Sequence, residues 1–113
     1  MIRKAFLMFL KPGSEAEYRR RHDAIWPELA AALRAHGVHA YSIFHDPERG
    51  LLFATVELEA GHRWAAIAGT EVCRRWWAHM RELMLTNPDD SPISQDLEEV
   101  FHLQEPPLEG GKA

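Results

Sequence analysis

VHAYSIFHDPERGLLFATVEL, residues 38–58, decides the fold. Side chains alternate from Val38 to Phe44, a β-branched and aromatic run extends from Leu51 to Leu58, and Asp46-Pro47-Glu48-Arg49-Gly50 between them carries turn formers. The stretch predicts a β-hairpin. On its N-terminal side lies a helical pattern with Leu29, Ala32 and Leu33 on one stripe and Gly37 as its stop. Pro27 removes a backbone donor and disfavours helical geometry at Trp26, so the helix that begins near Ser14 is expected to kink or restart there. Ser14 and Glu17 stand at capping-box spacing. Residues 2–11 are apolar at both parities, with Phe6, Met8 and Leu10 on one and Ala5, Leu7 and Phe9 on the other, as in a strand covered on both faces.

On the C-terminal side of the hairpin, a short helical segment around Trp64 and Ile67 breaks at Gly69, and Thr70 N-caps a further helix with apolar residues at 72, 73, 76, 77, 80, 83 and 84. LTNPDDSPISQD, rich in turn formers, reads as a loop, and Leu97 to Leu103 as a last strand. The order β-α-β-β-α-β is that of the α+β, ferredoxin-like fold, whose two helices cover one sheet face. Residues 2–11 and LLFATVEL are apolar on both parities, so the second face also needs a cover. A second copy packed about a two-fold axis, a dimeric α+β barrel, supplies it. A partly open ligand cavity in a monomer is the alternative.

At 113 residues the chain suits one compact domain, placed at residues 1–104 with a flexible tail at 105–113. A formal charge of −4 gives no footprint for phosphate backbones, so nucleic acid is not an expected partner. The single cysteine, Cys73, fits a reducing compartment. The apolar run Ala5–Leu10 is too short and wrongly flanked for a signal peptide, and no segment is long enough to span a membrane, so a cytoplasmic protein is expected.

Tyr18, His22 and Trp26 recur at helical spacing, a polar aromatic, an imidazole and an indole on one face. Imidazole populates both protonation states near neutral pH and so suits acid–base work; an amphipathic face at the core's edge uses the same residues. Tyr41 sits mid-strand with His39 and Ile43 on its face. Trp76 and Trp77 point about 100° apart, so one faces the core while the other borders a cavity, or both pack. Such aromatic area with a few placed polar groups suits a carbohydrate. Seven histidines include no metal-ligand motif, and no phosphate loop or nucleophile elbow occurs, so neither metal nor cofactor is expected.

YRRRHDAIWPEL at 18–29, HGVHAYSIF at 36–44, VCRRWWAHM at 72–80, and TNPDDSPIS with LEEVFHL at 86–94 and 97–103 together resemble the L-rhamnose mutarotase family, in order and over residues 1–104. The resemblance implies a cytoplasmic, cofactor-free homodimeric α+β barrel that interconverts the α and β anomers of L-rhamnose. It places the family's proton donor on His22 and its substrate contacts on Tyr18, Tyr41, Trp76 and Trp77. One departure is Ala40, where the family commonly has Asn; if that amide helps place a sugar hydroxyl, orientation or sugar preference differs here, and the sequence leaves the effect open. Ring opening needs a proton delivered to the ring oxygen and one removed from the anomeric hydroxyl. The sequence leaves the partner base open among a carboxylate, a Tyr and water. By fold analogy alone, cofactor-independent monooxygenases and lactone isomerases share the topology, and a non-catalytic sugar-binding dimer stands as a third reading.

Overall fold

A computed structural model describes residues 1–106 of the chain. Strand β1 (Ile2–Phe9) leads into helix α1 (Glu15–Asp23), helix α2 (Pro27–Ala35), the hairpin β2 (Val38–Asp46) and β3 (Leu51–Leu58), a 3₁₀ segment (Trp64–Gly69), helix α3 (Glu71–Met80), a single 3₁₀ turn (Arg81–Leu83) and β4 (Gln95–Leu97). The sheet is antiparallel, in the order β2-β3-β1-β4.

Register decides which side chains meet the helices, because residues opposite one another in an antiparallel ladder share a face. Leu52, Ala54, Val56 and Leu58 of β3 are at most 1% exposed and form the floor of the core. Phe6 and Met8 stand opposite Ala54 and Leu52, while Tyr41, Ile43 and His45 stand opposite Val56, Ala54 and Leu52. All five therefore face the helices. A bulge between Val38 and Ala40 adds one residue, which separates His39 from Tyr41's face; His39 pairs with Glu59 on the exposed edge. Ala40 stands opposite Glu57 on the outer face, so its side chain points away from Tyr41's side of the sheet.

The helices begin and end where the chain's chemistry dictates. Trp26 adopts an extended backbone before Pro27, and Pro27 starts α2 at a position where its missing N–H costs nothing. Gly37 stops α2 at φ +95°, and a Cβ there would lie 2.8 Å from His62 Cβ, so both backbone and space require glycine. Thr70 caps α3 by accepting from the Cys73 N–H at 3.3 Å. Ser14 forms no capping bond: its ψ of 0° turns the hydroxyl from the first-turn amides, and the Glu17 carboxylate goes to Arg20 and Arg21, whose charge-assisted bonds outcompete a backbone N–H.

The last strand is shorter than the sequence suggests. β4 pairs with β1 only at Leu97↔Ala5, Asp96↔Phe6 and Gln95↔Leu7. Continuing that register brings Glu99 opposite Arg3, with which it forms a two-bond ion pair at 2.8 and 3.0 Å. Ile2, at the end of β1, would stand opposite Val100 but forms no ladder with it, and Val100 and Phe101 are 90% and 77% exposed. Residues 98–103 are thus an unpaired arm. The outer sheet face likewise exposes Phe44 and Phe53. Of the expected 105–113 tail, residues 107–113 lie outside the described residues.

Candidate functional site

A cleft of about 1070 Å³ opens on the helix side of the sheet, and Tyr18, His22, Tyr41, Trp76 and Trp77 all line it. Three elements bring them together: α1 supplies Tyr18 and His22, β2 supplies Tyr41, and α3 supplies both indoles. Trp76 is buried in the core cluster and Trp77 is half-buried against it, so adjacent positions on α3 divide between packing and the cleft margin. The Tyr18 ring stacks on His22 with centroids 4.3 Å apart, and the Trp76 ring meets His22 edge-on at 5.3 Å. Trp26 departs from the expected pattern. It stands outside α1, because Pro27 ends the helical geometry, and it packs on Trp76 at 5.1 Å under Arg75, without lining the cleft.

The His22 ring is held by its own helix. Nδ1 lies 3.1 Å from the Tyr18 carbonyl oxygen, which can only accept, so Nδ1 carries the hydrogen. In the neutral ring Nε2 is then a free lone pair. Burial pushes the imidazole below its ordinary value of 6.5, with the Tyr18 bond and the neighbouring Asp23 charge opposing, so the resting ring is neutral. Burial pushes both tyrosine hydroxyls up, so Tyr18 and Tyr41 remain protonated donors and are excluded as the partner base. The buried Cys73 thiol is raised to about 11 and stays protonated. Among the described residues, the Tyr18 hydroxyl and His22 Nε2 have no hydrogen-bond partner, and neither is sealed from solvent. Both are available to a ligand.

The cleft also holds a group the sequence reading left aside. Asp23 lines it next to the catalytic candidate, and its signal was present in the adjacent His-Asp pair; Leu29 and Ile43, read from the sequence as helix stripe and strand face, add apolar wall. Among the described residues, no group of three or more His, Cys, Asp or Glu side chains is placed to hold a metal ion.

Comparison with known proteins adds a second line. A family model described as L-rhamnose mutarotase matches residues 3–103. An L-rhamnose mutarotase of Klebsiella pneumoniae subsp. pneumoniae is 61% identical over 103 residues, covering 91% of this chain and 99% of that protein. The crystal structure of an L-rhamnose mutarotase from Formosa agariphila superimposes with a TM-score of 0.86 at 41% identity, covering 92% of this chain and all of that one. A dimeric ferredoxin-like protein from an uncultured marine organism, 12% identical, covers 91% of this chain at a TM-score of 0.60 and shares the fold alone.

Proposed function

The chain belongs to the L-rhamnose mutarotase family and is an isomerase interconverting the α and β anomers of L-rhamnose, and from that premise we propose that His22 moves the proton while Tyr18, Tyr41, Trp76 and Trp77 hold the sugar. The observation that carries this reading is the Nδ1–H bond to the Tyr18 carbonyl, which leaves Nε2 bare on a cleft large enough for a monosaccharide. Nε2 takes the proton of the anomeric hydroxyl as the C1–O5 bond breaks and C1=O1 forms. The imidazolium so made is the proton donor to O5, which completes the open aldehyde. Rotation about C1–C2 presents the other carbonyl face, and the reverse transfers close the ring as the opposite anomer. O1 and O5 share C1, so one nitrogen serves both. The Asp23 carboxylate favours the transient imidazolium, and the two phenols donate to sugar hydroxyls. Trp76 and Trp77 offer area to the C–H face, and Leu29 and Ile43 suit the methyl of a 6-deoxy sugar. The monooxygenase and lactone isomerase readings rested on topology alone and have no further support.

Saturation-transfer NMR on L-rhamnose tests the activity directly, and its pH dependence tests the starting form of His22. Because burial depresses the imidazole, kcat/KM should be flat above about pH 7 and fall as pH drops through a midpoint below 6.5. A profile that instead declines as pH rises through 6 to 7 would make imidazolium the starting form and reverse the order of the two transfers.

We also infer a homodimer in the cytoplasm. No helix among the described residues is long and apolar enough to cross a membrane. Phe44 at 63% and Phe53 at 46% exposure, with the arm carrying Val100 and Phe101, leave the outer face needing a cover that a second copy supplies. Sedimentation equilibrium should give twice the 13.0 kDa chain mass, and Phe53→Glu should shift it toward one chain. A wild-type protein that sediments as a single chain at micromolar concentration contradicts the inference.

A further inference from the structure

We propose that Arg21 is a positioning residue for the reaction: its guanidinium fixes the distance between α1 and α3, and so holds His22 against Trp76. The proposal rests on the reading of His22 as the reacting group.

The need for such a device follows from α1 itself. Its sequence, EAEYRRRHD, is polar almost throughout, and Tyr18 is its one buried side chain. A nine-residue helix anchored by one aromatic plug has little apolar packing to fix its tilt, yet it carries His22. Arg21, next to His22, is the arginine of α1 that turns inward, with a side chain 13% exposed against 69% for Arg20.

Its fork reaches three acceptors at once. Nε donates to Glu17 Oε2 at 2.7 Å on its own helix, one terminal nitrogen donates to Glu82 Oε1 at 2.6 Å in the turn after α3, and the other donates to the His79 carbonyl. That carbonyl belongs to the last turn of α3, where carbonyls lack intrahelical partners and the helix dipole favours a cation. Glu17 is thereby also committed to the clamp, its carboxyl held down to about 2 by Arg20 and Arg21, so the pair persists across the working pH range.

Two contacts then run side by side between the helices: Arg21 to residue 79, and His22 to Trp76 three residues earlier. The His79 ring lies against Trp76 at 5.6 Å and Trp26 at 5.3 Å, so the clamped turn of α3 also carries the indole that meets His22. The shift of the imidazole comes from burial, the Tyr18 carbonyl and Asp23, not from the Arg21 charge. Arg21 acts on the ring through its position.

Arg21→Met, Arg21→Lys and Glu82→Gln in the full-length protein test this. A displacement of about 1 Å at the reacting group costs on the order of 100-fold in rate, so Arg21→Met should lower kcat by ~10- to 100-fold with a smaller rise in KM, because of the sugar-holding side chains only Tyr18 rides on α1 with His22, while Tyr41, Trp76 and Trp77 sit on β2 and α3. The midpoint of the pH profile, set by burial of the ring, should rise toward the ordinary imidazole value as His22 moves away from Trp76. Arg21→Lys should recover part of the loss, since an ammonium replaces the charge but not the three-way fork. Glu82→Gln, which loosens one leg, should fall between. In parallel, the ring-proton shifts of His22, set by Tyr18 and Trp76, should relax toward free-histidine values in Arg21→Met. Unchanged His22 shifts in both Arg21→Met and Glu82→Gln overturn the proposal. Relaxed shifts with full activity uphold the clamp and overturn the role of His22 instead, so the two failures are distinguishable.

Discussion

Trp76→Ala should lower the free energy of unfolding by about 3–5 kcal/mol, the range for truncating a buried aromatic side chain. Trp76 is only 8% exposed, and its ring is met by three others: His22 edge-on at 5.3 Å, Trp26 edge-on at 5.1 Å and His79 at 5.6 Å. Removing the indole leaves a cavity that these rings cannot close, because Arg21 ties α1 to the end of α3 while Leu29 and Met80 anchor α2 and α3 in the core. Against a total stability of about 5–15 kcal/mol for a domain of this kind, the loss is roughly a fifth or more. Urea denaturation followed by far-UV circular dichroism checks it: the midpoint should fall sharply while the m-value holds. The same substitution at Trp77, which is half-buried, should cost visibly less stability, so equal costs at the two positions would contradict the division of labour between them.

That division was legible in the sequence only as a choice between outcomes, since two adjacent helical residues cannot share a direction but nothing local says which faces the core. Other features were legible outright because their causes are local. Pro27 dictates the break between α1 and α2 through its own ring and the residue before it, Gly37 stops α2 through its positive φ, and the turn at 46–50 fixes the hairpin. Errors arose where a distant or competing group decides. The strand expected at Leu97–Leu103 has the right alternation, but strands need partners, and β1 runs out at Ile2, opposite Val100, before the second half of the segment could pair. Ser14 and Glu17 have capping-box spacing, yet two arginines further along the helix claim the carboxylate. Trp26 continues the spacing of Tyr18 and His22 on paper, but a period read through a proline has no helix beneath it. His39 and Ala40 were read without the bulge, which cannot be seen from one strand alone. Within the site, the residue types were legible, while the tautomer of His22 was not, since it depends on which ring nitrogen meets a carbonyl.

His22→Gln should lose ~10²- to 10⁴-fold of the enzymatic acceleration, the usual worth of one positioned acid–base group. Glutamine keeps polarity and reach at the cleft wall but neither accepts nor returns a proton near neutral pH, so the Tyr and Trp side chains should still bind sugar. Saturation transfer between the α and β anomeric resonances of L-rhamnose, at equal concentrations of folded wild-type and variant protein, is therefore the decisive measurement. The account predicts exchange in the variant close to the uncatalysed rate, with sugar binding retained. Exchange at the wild-type rate in a folded His22→Gln protein would contradict it.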